Sequence, residues 1–419
     1  MKILLINKFH YMWGGSETYY FAQAEAFKAK GHEIIFFAMQ DEKNLPCEQE
    51  EYFAPNVEYN SKLGLKAKFT ATKSFFYSKI AAKKMEELII KEHPDVAHIG
   101  LLHRQITFSV VDVLKKHNIP VVMTMHDLIF ACPNYTMLTN GEVCEACVNG
   151  SVLNCIMNKC VKGSLPKSIL AACEKAYLLK KNYYDLIDLY ITECDYYKNL
   201  MEKSGVTRSR IRYKTNFLPI DQKYEFNQKY RDYVLYFGRF SREKGIITLL
   251  KAHEVSGCKH KLILVGAGSI QNEIELYIKE HRLTNVELLR AIYGEEMEKI
   301  IEGAKLIVVP SEWYENCPYA LLQSIAKGKV VIASKIGGLP ELIKDNETGF
   351  LFEAGNANDL ADKIDYVMTM LKEKYEAMSC IIADEAKKNH HWEQYTDMLI
   401  DEYQELIARA NDKKKGTKK

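Results

Sequence analysis

The stretch Pro310-Ser311-Glu312-Trp313-Tyr314-Glu315-Asn316-Cys317-Pro318-Tyr319-Ala320-Leu321-Leu322-Gln323 decides the reading of this chain. The run before it, Lys305 to Val309, reads as a buried parallel strand. A polar loop follows, then a helix opening at Pro318. Proline suits the first helical position, because its missing N–H is one the helix could not use. Free N–H groups at such a start form an anion site. Asn316, Cys317, Pro318 and Tyr319 line that start and are ligand-binding candidates. Glu315 stands just before them, and Gln323 lies inside the helix. The arrangement suits a sugar and its diphosphate.

Outward from this stretch, strands alternate with helices. Strands are expected at Lys2–Asn7, Glu33–Met39, Val96–Gly100, Pro120–Met125 and Leu186–Thr192, with helices at Thr18–Lys30, Phe69–Glu92, Thr107–His117 and Lys167–Tyr184. The second half repeats the pattern, with strands at Tyr233–Gly238, Lys261–Val265, Val286–Leu289, Lys305–Val309 and Val330–Ala333. Its helices fit Gly245–Glu254, Ile270–Arg282, Glu295–Ala304 and Pro318–Lys327. Such alternation predicts α/β architecture with doubly wound parallel sheets. Two Rossmann-like domains result, 1–216 and 233–388, joined by a linker at 217–232 that has Pro219 and no periodicity. The tail Lys413-Lys414-Lys415-Gly416-Thr417-Lys418-Lys419 is a charge block expected to be disordered.

Composition narrows the function. A chain of 419 residues is too long for one core. At 47% hydrophobic and 27% charged it is globular, and a net charge of +2 gives no argument for nucleic acid. It has no apolar run long enough to span a bilayer and no signal-peptide h-region, so a cytoplasmic location is expected. There the 11 cysteines are reduced thiols or metal ligands. No Asp-x-Asp and no P-loop sequence occurs, so no catalytic metal is expected.

Four further loops carry candidates. Trp13-Gly14-Gly15-Ser16-Glu17-Thr18 joins the first strand to the first helix. Its glycines let the backbone approach a ligand, and Ser16 or Thr18 is a candidate helix cap. Gly238-Arg239-Phe240-Ser241-Arg242-Glu243-Lys244-Gly245 sets two cations, Arg239 and Lys244, across a strand-to-helix turn. Positioned cations stabilise charge growing on a departing diphosphate without a metal. Val265-Gly266-Ala267-Gly268-Ser269 is half a dinucleotide fingerprint and suits a loop near a nucleotide base. Met123-Thr124-Met125-His126-Asp127 places His126 at a strand end, where a histidine can donate to a sugar hydroxyl; a core histidine bonded to backbone is the competing reading. His98 and His103 are structural or acceptor-side residues.

Taken together, Glu315 followed by Gln323, the turn at Arg239 and Lys244, and Gly337-Gly338-Leu339-Pro340-Glu341 resemble the retaining glycosyltransferases of family 4, which have the GT-B fold. The resemblance covers nearly the whole chain. It implies two domains facing across a cleft, with a final crossover segment, 389–419, whose helix returns to the first domain. It implies phosphate-binding roles for Arg239 and Lys244 and a donor-facing loop at Gly15. It places His126 near the transferred sugar and Glu315 on the sugar hydroxyls. The family's second Glu, which binds ribose, is replaced here by Gln323, a neutral donor and acceptor. The implied activity is hexosyl transfer from a nucleotide sugar to a saccharide or lipid-linked acceptor in surface polysaccharide or glycolipid assembly. A GT-B nucleotide-sugar epimerase and a non-catalytic nucleotide-sugar-binding protein are the rivals.

Two features stand outside that pattern. Cys144, Cys147, Cys155 and Cys160 read Cys-x2-Cys-x7-Cys-x4-Cys, with Cys132 as an alternate ligand, in an insertion over 132–160. Four thiolates suit structural zinc or an iron–sulfur centre, and free thiols or disulfides are the alternatives. Residues 62–91 interleave Lys62, Lys66, Lys68, Lys73, Lys79, Lys83, Lys84 and Lys91 with Phe69, Phe75, Phe76 and Tyr77. A basic aromatic helix of this kind can lie peripherally on anionic membrane. A solvated helix with its apolar stripe in the core is the simpler reading.

Overall fold

The fold follows from two parallel sheets whose strands are apolar on both faces, as sheets covered by helices require. The computed structural model describes residues 1–56, 74–226 and 228–416. Its strands are β1 Lys2–Ile6, β2 Glu33–Phe37, β3 Val96–Ile99, β4 Val121–Thr124, β5 Leu138–Thr139, β6 Glu142–Val143, β7 Leu189–Thr192, β8 Ile211–Tyr213, β9 Tyr233–Phe237, β10 Lys261–Val265, β11 Val286–Leu289, β12 Leu306–Val309, β13 Val330–Ser334 and β14 Phe350–Phe352. The first sheet runs β2-β1-β3-β4-β7-β8 and the second β11-β10-β9-β12-β13-β14. Every pairing in both is parallel; among the described residues only the small β5-β6 hairpin is antiparallel. Register is set at pairs such as Ile3 with Val96 and Leu306 with Val234.

Both orders reverse direction once. In the first sheet the reversal lies between β1 and β3, and in the second between β9 and β12. Loops leaving neighbouring strands part there, and the crevice at the strand carboxyl ends is where ligands bind in such sheets.

The final helix, Trp392–Gly416, packs on the first domain. The Tyr403 ring lies 5.5 Å from the Phe27 ring, tilted against it, and Lys30 pairs with Asp397 at 2.7 Å. Beneath them Tyr19 hydrogen-bonds Thr124 and Tyr395, both at 3.0 Å. His98 bonds Thr124 at 2.7 Å and also Tyr403. Burial pushes the His98 imidazole down to about 3, so it is neutral. His98 is therefore structural.

The segment 217–232 joins the two sheets, and its first residues are packed rather than open: Phe217 and Leu218 are buried, and Phe217 stacks on Tyr395 at 4.6 Å. Two expectations need correction. The basic tail is helical as far as Gly416, and residues 417–419 lie outside the described ones. Of the basic aromatic stretch, Lys62, Lys66, Lys68, Phe69 and Lys73 lie outside the described residues, and the helix there is Lys79–Glu92. On that helix Lys84 donates to the Glu51 carbonyl at 2.9 Å and Lys91 pairs with Glu51 at 3.5 Å. No helix among the described residues is long and apolar enough to cross a membrane.

Candidate functional site

The crevice between β9 and β12 holds the central pair. The β9 loop carries Lys244 and the β12 loop carries Glu315, so the two meet at the switch point. Lys244 Nζ stands 2.6 Å from Glu315 Oε1, and Ser311 Oγ donates to the same oxygen at 2.5 Å. Such closeness needs glycine: a Cβ on Gly245, whose φ is +67°, would stand 1.8 Å from the Pro310 carbonyl oxygen. The Glu312 amide donates to the Glu243 carbonyl at 2.8 Å, joining the loops again. The Lys244 ammonium also lies 5.1 Å from the Trp313 ring centre. Burial pushes the Glu315 carboxyl up. The Lys244 charge and the Lys244 and Ser311 hydrogen bonds outweigh it and hold the carboxyl below its ordinary range.

Arg239 is on the same loop but is exposed. It donates to Glu243 Oε1 at 2.9 Å and to Ser241 Oγ at 3.3 Å. Gly266 and Gly268 face this loop. A Cβ on Gly266 would stand 2.0 Å from the Gly238 oxygen, and one on Gly268 would stand 2.2 Å from the Phe240 oxygen. Their smallness is accounted for by seating the Arg239 turn. Gly337 and Gly338 do the same for the other loop, since Cβ atoms there would stand 2.5 Å from the Glu315 oxygen and 2.3 Å from the Asn316 oxygen. Glu341, at the end of that motif, accepts from the Asp195 and Tyr196 amides at 2.7 and 3.0 Å, across the domain boundary.

The first domain meets this site at several points. Asn316 Nδ2 donates to Glu193 Oε2 at 2.5 Å and to the Met125 carbonyl at 2.9 Å. Its Nδ2 therefore ties the domains together, while its buried Oδ1 has no partner among the described residues. His126 Nδ1 lies 3.4 Å from Glu193 Oε1, while its buried Nε2 has no protein partner among the described residues. Burial lowers the His126 pKa, but the Glu193 charge and hydrogen bond prevail and leave it raised. A Cβ on Gly15 would stand 3.6 Å from the Tyr319 ring.

Local details differ from the sequence reading. The helix start at Gly14–Gly15 is capped by neither Ser16 nor Thr18: Gly14 is the cap, Thr18 Oγ1 donates back to its carbonyl, and Ser16 bonds the buried Glu17. Pro318 is the cap residue before the helix Tyr319–Ala326, one position earlier than expected. Cys317 is buried in the core, and Tyr319 OH reaches Asn216 at 3.4 Å, so neither side chain is free for a ligand. Gln323 is half-buried on the helix. His103 is half-buried, with Nε2 3.7 Å from Asp127 Oδ1. Glu193 and Ser311 were missed. Glu193 follows β7 directly, and the strand-end rule that found His126 applies to it equally.

The cysteine insertion lies beside this face. Cys132, Cys144, Cys147 and Cys160 line one cavity of about 10 Å³, while Cys155 is buried next to it. All five are free thiols. Among the described residues no group of three or more His, Cys, Asp or Glu is placed so that it could hold a metal ion. Glu145, between Cys144 and Cys147, accepts from Tyr196 at 2.8 Å and from Tyr314 at 3.2 Å. Tyr314 is the residue before Glu315.

Comparison with known proteins agrees with this geometry. A model described as Glycosyltransferase Family 4 matches residues 13–222, half of the chain. One described as Glycosyl transferases group 1 matches residues 219–383. An uncharacterized glycosyltransferase of Methanocaldococcus jannaschii is 28% identical over 42% of this chain; the match spans about half of that protein, 48%. An uncharacterized protein in the cps region of Klebsiella pneumoniae is 24% identical, over 82% of this chain and 87% of its own. The amylovoran biosynthesis glycosyltransferase AmsK of Erwinia amylovora is 28% identical over 38% of this chain and 40% of its own. Among solved structures, sucrose-phosphate synthase from Thermosynechococcus elongatus superposes with a TM-score of 0.71 at 18% identity, over 98% of this chain and 100% of that one. Anabaena HepE in complex with UDP gives 0.67 at 16%, over 97% and 100%. The architecture is GT-B.

Proposed function

The chain belongs to glycosyltransferase family 4, and from that premise we propose that it moves a hexosyl residue from a nucleotide-diphosphate sugar to a saccharide or lipid-linked acceptor, with retention. The observation that carries the reading is the Lys244–Glu315 contact of 2.6 Å at the switch point of the second sheet. A cation and a carboxylate held together there match the two ends of a nucleotide sugar: diphosphate for the cation, hydroxyls for the carboxylate.

In this scheme the bond from the anomeric carbon to the diphosphate breaks, and the acceptor oxygen bonds to that carbon on the same face. The acceptor proton passes to a diphosphate oxygen. Lys244 and Arg239 meet the charge growing on the leaving group, the largest kind of catalytic contribution a preorganised site makes. Added divalent metal is then unnecessary. Glu315, kept ionised by Lys244, accepts from sugar hydroxyls. His126 offers its unpartnered Nε2 to the transferred sugar while Glu193 holds Nδ1. Gln323 stands where an acidic residue would take the ribose.

Relatives named for amylovoran biosynthesis and for a cps region support an acceptor in surface polysaccharide assembly. The proposed setting is the cytoplasm, with weak peripheral attachment to anionic membrane through the basic helix. Liposome flotation tests attachment, and the absence of salt-sensitive binding refutes it. The activity is tested by donor turnover in wild type, Arg239→Ala and Lys244→Ala, with and without added Mg²⁺ or Mn²⁺. Either substitution should nearly abolish turnover and neither metal should raise it. Unchanged turnover in both variants rejects the phosphate role. Conversion of the donor without acceptor identifies an epimerase.

A further inference from the structure

On the transferase reading above, we infer that the acceptor is a neutral saccharide, seated with one ring on Trp13 and its hydroxyls on Lys8, His103 and Asp127 at the carboxyl edge of the first sheet. The loop after β1 builds the plate. His10 turns inward, 2% exposed, with Nδ1 3.1 Å from Tyr20 OH. The His10 carbonyl accepts from the Leu45 amide at 2.9 Å, and the Lys8 carbonyl from the Met39 amide at 3.1 Å. Pinned in this way, the loop turns Trp13 outward, 64% exposed. Phe9 at 6.1 Å and Tyr11 at 6.3 Å back its ring. Trp13 thus presents a large, rigid, amphipathic face. Gly15, two positions on, approaches the second domain: a Cβ there would stand 3.6 Å from the Tyr319 ring. Trp13 therefore stands at the mouth of the interdomain crevice.

Polar side chains from three neighbouring strand ends lie beside this plate. Lys8 follows β1, His103 follows β3 and Asp127 follows β4. The Leu101 amide donates to Asn7 Oδ1 at 3.0 Å, which joins the first two loops. Lys8 Nζ lies 4.8 Å from the centre of the Phe9 ring that backs Trp13. The charges of Asp127 and Lys8 both reach the His103 ring. Asp127 Oδ1 accepts from the Ile129 amide at 3.2 Å and stands 3.7 Å from His103 Nε2. Among the described residues Lys8 Nζ, Asp127 Oδ2 and both His103 ring nitrogens have no hydrogen-bond partner.

This set has donors and acceptors, with one cation beside one carboxylate. It fits a ligand rich in hydroxyls and without net charge. A phosphate would be repelled by the Asp127 carboxylate. A hydrocarbon chain would cover Trp13 but strip the polar groups of water and offer them nothing, which is costly. A pyranose ring has a C–H face for the indole and hydroxyls at its edge for the rest.

The test probes an array of immobilised neutral and phosphorylated oligosaccharides with the labelled full chain. Wild type should be retained on at least one neutral glycan. Trp13→Ala should weaken that binding about tenfold, and Asp127→Ala by about the same factor, while Trp13→Phe keeps most of it. Thermal shifts with UDP, ADP and GDP should be the same in wild type and Trp13→Ala, which shows that the variant is folded. Four results overturn the proposal: no glycan retained by wild type, undiminished binding in Trp13→Ala, retention of phosphorylated glycans alone, or a Trp13-dependent binding to phosphatidylglycerol vesicles in place of glycans. If none of the three nucleotides binds while Trp13-dependent glycan binding persists, the transferase reading fails and the saccharide seat stands.

Discussion

Replacing Lys244 by methionine keeps its bulk and removes its charge. The Lys244 and Glu315 side chains are 20% and 6% exposed, so the pair is largely out of water. Removing one partner of a buried pair costs about 3–5 kcal/mol, because the remaining charge is left uncompensated. At about 2–4 °C per kcal/mol for a domain of this size, the melting point should fall by roughly 10 °C near neutral pH. The loss has a pH signature. In wild type the Glu315 carboxyl is held below its ordinary value of 4.5, despite burial. Its stabilisation is present above that value and is lost as pH falls through the lower folded pKa. In Lys244→Met, burial is the main remaining influence, so the carboxyl shifts upward and takes up a proton earlier. Protonation relieves the penalty. The deficit against wild type should therefore be larger at pH 8 than at pH 5. Turnover should drop by about 10²–10³, as for loss of one charge-stabilising donor. Thermal scans at the two pH values and donor-release rates measure both. Equal deficits at pH 5 and pH 8, with turnover within about threefold of wild type, refute the reasoning.

Other perturbations follow from the same geometry. Arg239→Ala removes an exposed ion pair with Glu243 and should shift the melting point by only about 1–3 °C, while donor turnover falls about 100-fold; a large melting shift with normal turnover contradicts its assignment. Gly245→Ala places a Cβ 1.8 Å from the Pro310 oxygen at φ +67°, so it should cost about 1–3 kcal/mol and raise the donor KM, measured by urea midpoint and steady-state kinetics. Glu193→Gln removes the charge that keeps the His126 pKa raised against burial. The stabilisation from protonated His126 is complete below the unfolded value near 6.5 and is lost as pH rises through the raised folded value. The variant should thus trail wild type more at pH 6 than at pH 8.5, and the His126 proton resonances should titrate at lower pH.

Much of this fold was legible in the sequence. The apolar strand runs and the turns after them are local features, and they placed Lys244, Glu315 and His126 in the loops that follow strands, where the structure has them. What escaped depends on contacts distant in sequence. Nothing local to Asn316 says that its amide crosses to Glu193 and Met125, or that Cys317 turns inward. Gly266 and Gly268 resembled half a fingerprint, whereas their smallness answers to the Gly238–Phe240 backbone. β14 is three residues long, Phe350–Phe352, too short for a periodic signal. The helix Ala357–Met368 was missed, although an Asn at 356 is a cap signal; its side chain accepts from the Asp359 amide. Phe217 and Leu218 looked like the start of a linker, since burial by a helix nearly two hundred positions later leaves no mark on their own neighbourhood.

The most direct measurement follows a panel of nucleotide sugars by ³¹P and ¹H NMR in the presence of saccharide acceptors. The account predicts that one donor releases its nucleoside diphosphate in step with a new glycoside whose anomeric configuration matches the donor's, and that Lys244→Met suppresses both signals together. An inverted glycoside, or full release in Lys244→Met, contradicts it.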